Sequence, residues 1–272
     1  QIKSSVEVVR RSHIELFKKC QHAFNLEVIK EVKQENNAYA LHGIILHEIF
    51  DKYSKLENIS RDDLANEFKE RYTNEMPRDN HSFKEKPLLY DQLYEKGFDA
   101  IDGFLAFYNQ ISLPYITEEN IIFELEEGLP KVSITMDRVD KEGENLHMLD
   151  YKCGKTFTGK KLSEDLQVPL YCHAIKLKYG IYPASFTFLF VSEGKERRYL
   201  LRNGNEYVCT VKKKEYVINV DEKIEEVKYL LKEIQKGEGN TMCGDFWHCE
   251  NMCYYKKNGI CNGGSSHIWN IR

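Results

Sequence analysis

No stretch of these 272 residues is apolar for the roughly 20 positions that a bilayer-spanning helix needs, and there is no long polar low-complexity tract and no internal repeat. Those absences argue against a helical membrane protein, a disordered scaffold and a solenoid. Surplus positive charge is lacking too. With 39 Lys and Arg against 43 Asp and Glu the formal net charge is -4, so the chain does not coat nucleic acid by bulk electrostatics. The N-terminal run QIKSSVEVVRRSHIELF has no continuous apolar core of the secretory kind, which makes a cytoplasmic address and no membrane contact the expectation. What remains is a globular composition, 42% hydrophobic and 30% charged, long enough for a full core. Its basic residues gather in short runs, Lys160-Lys161, residues 195–198 and residues 212–214, which could track phosphates.

Apolar spacing predicts helices over residues 12–31, 38–56, 61–74 and 88–110, the last two joined by a polar stretch at 77–86. Pro114 marks the passage into strands. Residues 131–139 and 145–152 alternate apolar and polar side chains around the turn-forming KEGEN run, a hairpin pattern. Residues 162–179 have helical spacing and 184–192 read as a buried strand. Residues 198–201 and 207–211 flank an Asn-Gly-Asn turn, and 220–235 form a charged amphipathic helix before a cysteine-rich tail. Strand, strand, helix, strand is the order of a compact α/β core.

The predicted hairpin carries the chemistry. Asp137 falls at the end of its first strand, and Asp150 and Lys152 at the end of its second, two residues apart and so on one face. Carboxylates that converge suit a hard divalent cation. In the helix LHGIILHEIFDKY, Gly43 and His47 are four apart and share a face, and in DLQVPLYCHAIKL so do Gln167 and Tyr171. Arg138 and Asp140 are expected to support the strand by hydrogen bonds, and Glu124 and Glu126, placed on the preceding strand, are possible accessory ligands.

Taken in chain order, Gly43-x-x-x-His47, Asp137, Asp150-Tyr151-Lys152 and Gln167-x-x-x-Tyr171 resemble the PD-(D/E)XK nuclease superfamily in its RecB/AddB-like branch. The resemblance implies an α/β restriction-endonuclease-like core, a central mixed β-sheet flanked by helices. It implies one nuclease domain over residues 1–272, with a helical part at 1–115, a catalytic core at 116–236 and a metal-binding tail at 237–272. It further implies a DNase using Mg²⁺ or Mn²⁺, held by His47, Asp137, Asp150 and the Tyr151 backbone carbonyl. Lys152 would manage the attacking water, and Gln167 and Tyr171 would orient the lysine or hold the DNA backbone. DNA ends are the implied substrate, with a helicase or recombination protein as a possible partner. Two alternatives are a zinc-stapled endonuclease and a non-catalytic DNA-binding subunit. In one respect the chain departs from the branch: where a glycine often precedes the first acid, it has Ile134 and Thr135.

Eight cysteines are present, of which Cys153, Cys172 and Cys209 fall within regular elements as ordinary buried thiols. Cys243, Cys249, Cys253 and Cys261 crowd a short tail, a density that implies a metal. By residue type these four could close a tetrahedral Zn²⁺ site, with His248 as a spare ligand. The family resemblance favours a [4Fe–4S] cluster instead, held by Cys20 in FKKCQHAF together with Cys249, Cys253 and Cys261, and leaves Cys243 surplus.

Overall fold

The structure is a computed structural model that describes residues 6–108, 113–237, 249 and 253–261; Cys243 and His248 lie outside the described residues. Two compact units divide the chain. The first gathers Gln1–Glu35, Ile122–Ile134 and Glu222–Arg272, and the second Asn36–Ile121 and Thr135–Asp221. The strands are β1 (Val8–Arg10), β2 (Ile116–Phe123), β3 (Lys131–Glu142), β4 (Asn145–Lys152), β5 (Ser185–Phe190), β6 (Lys195–Asn203), β7 (Glu206–Val211) and β8 (Lys214–Asn219). Hydrogen-bonded neighbours run β1-β3-β4-β5-β6-β7-β8, with β2 also on β3, so the expected mixed sheet is present.

In the first unit, β1 pairs in parallel with the start of β3, Val9 opposite Val132. The helix expected over 12–31 is not continuous. Helix α1 (Arg11–Lys19) stops at Cys20, whose backbone is extended at φ -156° and ψ 100°. Leaving the helix lets the Cys20 thiol accept the Ala23 N–H at 3.4 Å and cap α2 (Gln21–Phe24), which passes into a π-helical turn, Asn25–Ile29. A small cluster of Ala23, Leu26 and Tyr255 lies here, and Cys20, Cys253 and Cys261 pack against it. Cys249 is buried.

The second unit opens with helices α3 (Ala38–Ser54), α4 (Arg61–Glu75), α5 (His81–Glu85) and α6 (Leu89–Tyr108). Asn37 caps α3 through the Ala40 N–H at 2.9 Å, and Ser60 caps α4 through the Asp63 N–H at 3.1 Å, which is why these helices begin where the sequence placed them. The polar stretch at 77–86, expected only to connect, contains α5. Aromatic rings fill the space between the helices: Phe50 and Phe104 stack at 4.4 Å. Gly97 and Gly103 permit the close approach, since a Cβ would meet the Phe68 ring at the first and the Val191 carbonyl oxygen at the second.

Strands β3 and β4 pair antiparallel, β4 and β5 parallel, and β5 through β8 antiparallel. The parallel pair requires a crossover, supplied by α7 (Lys161–Glu164) and α8 (Gln167–Tyr179). The sequence predicted one helix over 162–179; the chain breaks it at Asp165-Leu166, where the Asp165 carboxylate accepts the Gln167 N–H at 2.8 Å and restarts the helix. The strand expected over 184–192 ends at Phe190, and Val191–Glu193 turn in 3₁₀ geometry.

Candidate metal centre

Strand β3 runs through to Glu142, so Asp137 sits in its middle rather than at its end. Its register with β4 pairs Arg138 with Leu149, and one step further along the same register Asp137 stands opposite Asp150. The Asp137 carboxylate accepts the Tyr151 N–H at 2.8 Å and lies 3.3 Å from His47 Nδ1. Tyr151 explains why His47 is there. Alternation on β4 sends its ring away from Asp150 and Lys152, to within 5.5 Å of Phe50, 5.6 Å of Phe104 and 6.2 Å of the His47 ring, ring centre to ring centre. Helix α3 thus packs on the strand that bears the acids.

A third group joins His47 and Asp137. Glu118 of β2 brings a carboxylate oxygen close enough that the ligand atoms of all three residues lie within 4.8 Å of one another, a grouping suited to a metal ion. Sequence reasoning missed Glu118 and placed the accessory acids at Glu124 and Glu126. These two lie beyond the end of β2 and serve elsewhere: Glu124 accepts the Gly128 N–H at 3.1 Å and Glu126 pairs with Lys232 at 2.8 Å. A sign of Glu118's special position is its backbone, which has a φ of 46°, a left-handed conformation uncommon for a residue with a side chain. Residue type and spacing carry no trace of it.

Asp150 stands outside that group of three. One of its oxygens is 2.5 Å from Lys152 Nζ, and the other accepts from the Gln167 amide nitrogen. Gln167 closes the ring by accepting from Lys152 Nζ at 3.0 Å. Because lysine only donates, the amide oxygen must face it and the amide nitrogen must face the carboxylate. The four-residue spacing of Gln167 and Tyr171 separates their roles: Gln167 reaches the acids, whereas Tyr171 is buried edge-on against Phe186 at 6.1 Å. Arg138 is buried and bonds Asp140 at 2.7 Å, the supporting contact that was expected.

Electrostatics sort these groups. Burial and then the Asp137 charge push Glu118 up to about 7. Burial opposes the charge on His47, but the Asp137 carboxylate, with Cys153 adding to it, holds the imidazole well above its ordinary value. Asp137 is likewise resisted by burial and held below the usual carboxylate range by His47. Asp150 is pushed up, by burial first, against the pull of Lys152. The cavity in front of Asp137, about 470 Å³, is lined by Gly43, His47, Asp51, Glu118 and Thr135.

A mixed sheet between helices, with an imidazole and carboxylates gathered over one of its hairpins, makes an α/β protein with a candidate site for a hard cation. A family model described as PD-(D/E)XK nuclease superfamily matches residues 11–262, and the chain belongs to that superfamily of metal-dependent nucleases. No curated protein matches it significantly. Among solved structures it is similar to one described as "Crystal structure of SSO0001", at 12% identity and a TM-score of 0.36, covering 82% of this chain and 97% of that one. No helix among the described residues is long and apolar enough to cross a membrane.

Proposed function

We propose that this chain is a Mg²⁺- or Mn²⁺-dependent exonuclease of the RecB/AddB-like branch, acting on DNA ends in repair, recombination or phage or CRISPR-associated DNA processing. The observation that carries this reading is the meeting of two sets: His47, Glu118 and Asp137 on one side, and the closed ring of Asp150, Lys152 and Gln167 on the other. The donors fit a hard cation, being one imidazole and two carboxylates with ligand atoms within 4.8 Å of one another. The residues that would hold the cation are His47, Asp137, Asp150 and the Tyr151 carbonyl, with Glu118 added. When bound, it supplies Lewis-acid polarisation of a phosphate oxygen and a lowered pKa for water. Among the described residues, two of the three Lys152 N–H donors are taken by Asp150 and Gln167, which leaves one to aim at water or phosphate. Gln167 fixes that aim.

Cys20, Cys249, Cys253 and Cys261 are proposed to hold a [4Fe–4S] cluster. Three of them pack on the same small apolar cluster and the fourth is buried, and thiolates suit that metal. Such a cluster would tie sequence-distant segments and add stability when loaded.

The test uses anaerobically purified protein and end-labelled single-stranded, duplex and circular DNA, with Mg²⁺, Mn²⁺ or chelator. Release of nucleotides from linear DNA with either metal is expected, abolished by Asp137→Ala, Asp150→Ala or Lys152→Ala. Absence of metal-dependent cleavage would sink the nuclease reading, and equally fast cutting of circles the exonuclease one. Iron should be present and fall in Cys20→Ser but not in Cys243→Ser; zinc without iron rejects the cluster.

A further inference from the structure

Two of the three basic runs, far apart in sequence, meet in space. Lys160, just before α7, Ser163 within it, and Lys214 and Tyr216 of β8 line one cleft of about 400 Å³. We propose that this cleft binds the sugar–phosphate backbone of the DNA strand on which the candidate metal centre acts, an inference that rests on the nuclease reading above.

Charge makes the cleft exceptional in a chain whose formal net charge is -4. Lys160 and Lys214 are exposed. The single carboxylate in the lining, Glu215, is engaged by Arg202 at 2.8 Å, so its charge is balanced locally. The turn that delivers β8 adds two more lysines in a costly conformation. Lys212 and Lys213 have φ values of 49° and 68°. Asn and Gly are the residues favoured where both turn positions are left-handed, and a longer side chain there costs on the order of 1 kcal/mol. A turn under structural demand alone would not use Lys-Lys, and such outliers concentrate where function retains them. Edge-strand lysines also discourage pairing with other chains, but that purpose is not served by Lys160 and Ser163 on the facing segment.

Lys161, the neighbour of the cleft's Lys160, is linked to the candidate centre through rings. Lys161 Nζ lies 3.7 Å over Phe157, Phe157 meets Phe188 at 5.0 Å, and Lys152 Nζ lies 5.3 Å from the same Phe188 ring. Lys161, next to the cleft's Lys160, and Lys152 therefore rest on one aromatic group. The lining offers ammonium groups and the hydroxyls of Ser163 and Tyr216, with no guanidinium fork of the kind that reads base edges, so binding there is independent of sequence.

The test is Lys160→Glu with Lys214→Glu, assayed by fluorescence anisotropy on short single-stranded and duplex DNA in chelator, so that nothing is cut. Binding should weaken at least tenfold at moderate salt. The slope of log affinity against log salt should fall by about 1.4 to 1.8, corresponding to two lost phosphate contacts. In cleavage assays KM should rise while the rate at saturating DNA stays near wild type, and the melting temperature should not change. Lys69→Glu with Lys84→Glu, the same change of charge on α4 and α5, serves as the control. Unaltered affinity in the cleft variant, or an equal loss in the control, overturns the proposal. Wild-type protein that neither binds nor cuts DNA overturns the nuclease reading and this one together, whereas a wild type that cuts and a cleft variant that binds equally well removes the cleft alone.

Discussion

The Gln167 amide oxygen accepts a hydrogen bond from Lys152 Nζ at 3.0 Å, while the same side chain donates to Asp150. One amide, on helix α8, therefore sets the distance between an acid and an amine two residues apart on β4. Gln167→Met keeps the size and removes both bonds. Cleavage at saturating DNA should drop by about tenfold or more, the low end for a lost positioning contact, with KM and the melting temperature little changed. A variant with the wild-type rate would show that Lys152 needs no such guide.

Glu118 is expected to matter where Glu124 and Glu126 do not. Glu118→Gln should weaken Mn²⁺ binding measured by calorimetry by about tenfold, since one charged oxygen in a small set is lost. Glu124→Gln and Glu126→Gln should bind as wild type, because their carboxylates are used by Gly128 and Lys232. Equal affinities in all three variants would remove Glu118 from the ligand set.

Acid should weaken the helical part through His42. This imidazole is buried between Phe68 and Tyr72 at 6.0 and 6.2 Å, and burial lowers it from 6.5 to about 4, despite a hydrogen bond with the Leu93 backbone. Its folded value is depressed, so the unfolded chain binds the proton first. Stability is then full above pH 6.5 and declines as pH falls towards about 4, by at most about 3 kcal/mol. Urea midpoints across that range should show the loss, and in His42→Leu the decline should be smaller. Equal pH dependence in both proteins would acquit His42.

Two helical glycines should respond oppositely to alanine. At Gly103 the added methyl would strike the Val191 carbonyl, backbone that has little room to yield, and a loss of about 1–3 kcal/mol is expected. At Gly43 no atom lies within 4 Å of the new Cβ, so Gly43→Ala should gain up to about 1 kcal/mol from helix propensity. Thermal unfolding of the two variants compares them directly. A destabilised Gly43→Ala would mean that the space beside it is not open.

Much of this arrangement is legible in the sequence. Period-two alternation put Asp150 and Lys152 on one face, and they touch; four-residue spacing put Gly43 and His47 on the same cavity. Local patterns are read well because their geometry is fixed by one element. Glu118 was invisible because its place depends on how β2 lies on β3 and on a left-handed residue within a strand. The interruptions at Cys20 and Asp165 were hidden for a different reason. There a side chain caps a new helix start inside an apolar repeat that continues across the break, and spacing alone records the repeat and not the cap.

The crossover between β4 and β5 has a kinetic consequence. The β3–β4 hairpin is local, with Glu142 paired to Asn145, and can close early. Gln167 arrives only when the chain beyond Lys152 has returned to lay β5 parallel to β4, a contact of longer range and slower formation. Asp137, Asp150 and Lys152 can thus be assembled while the amide that steadies them is still absent. A chain caught at that stage would hold its acids and its amine without their final alignment, so competence for chemistry should lag behind the appearance of secondary structure during refolding.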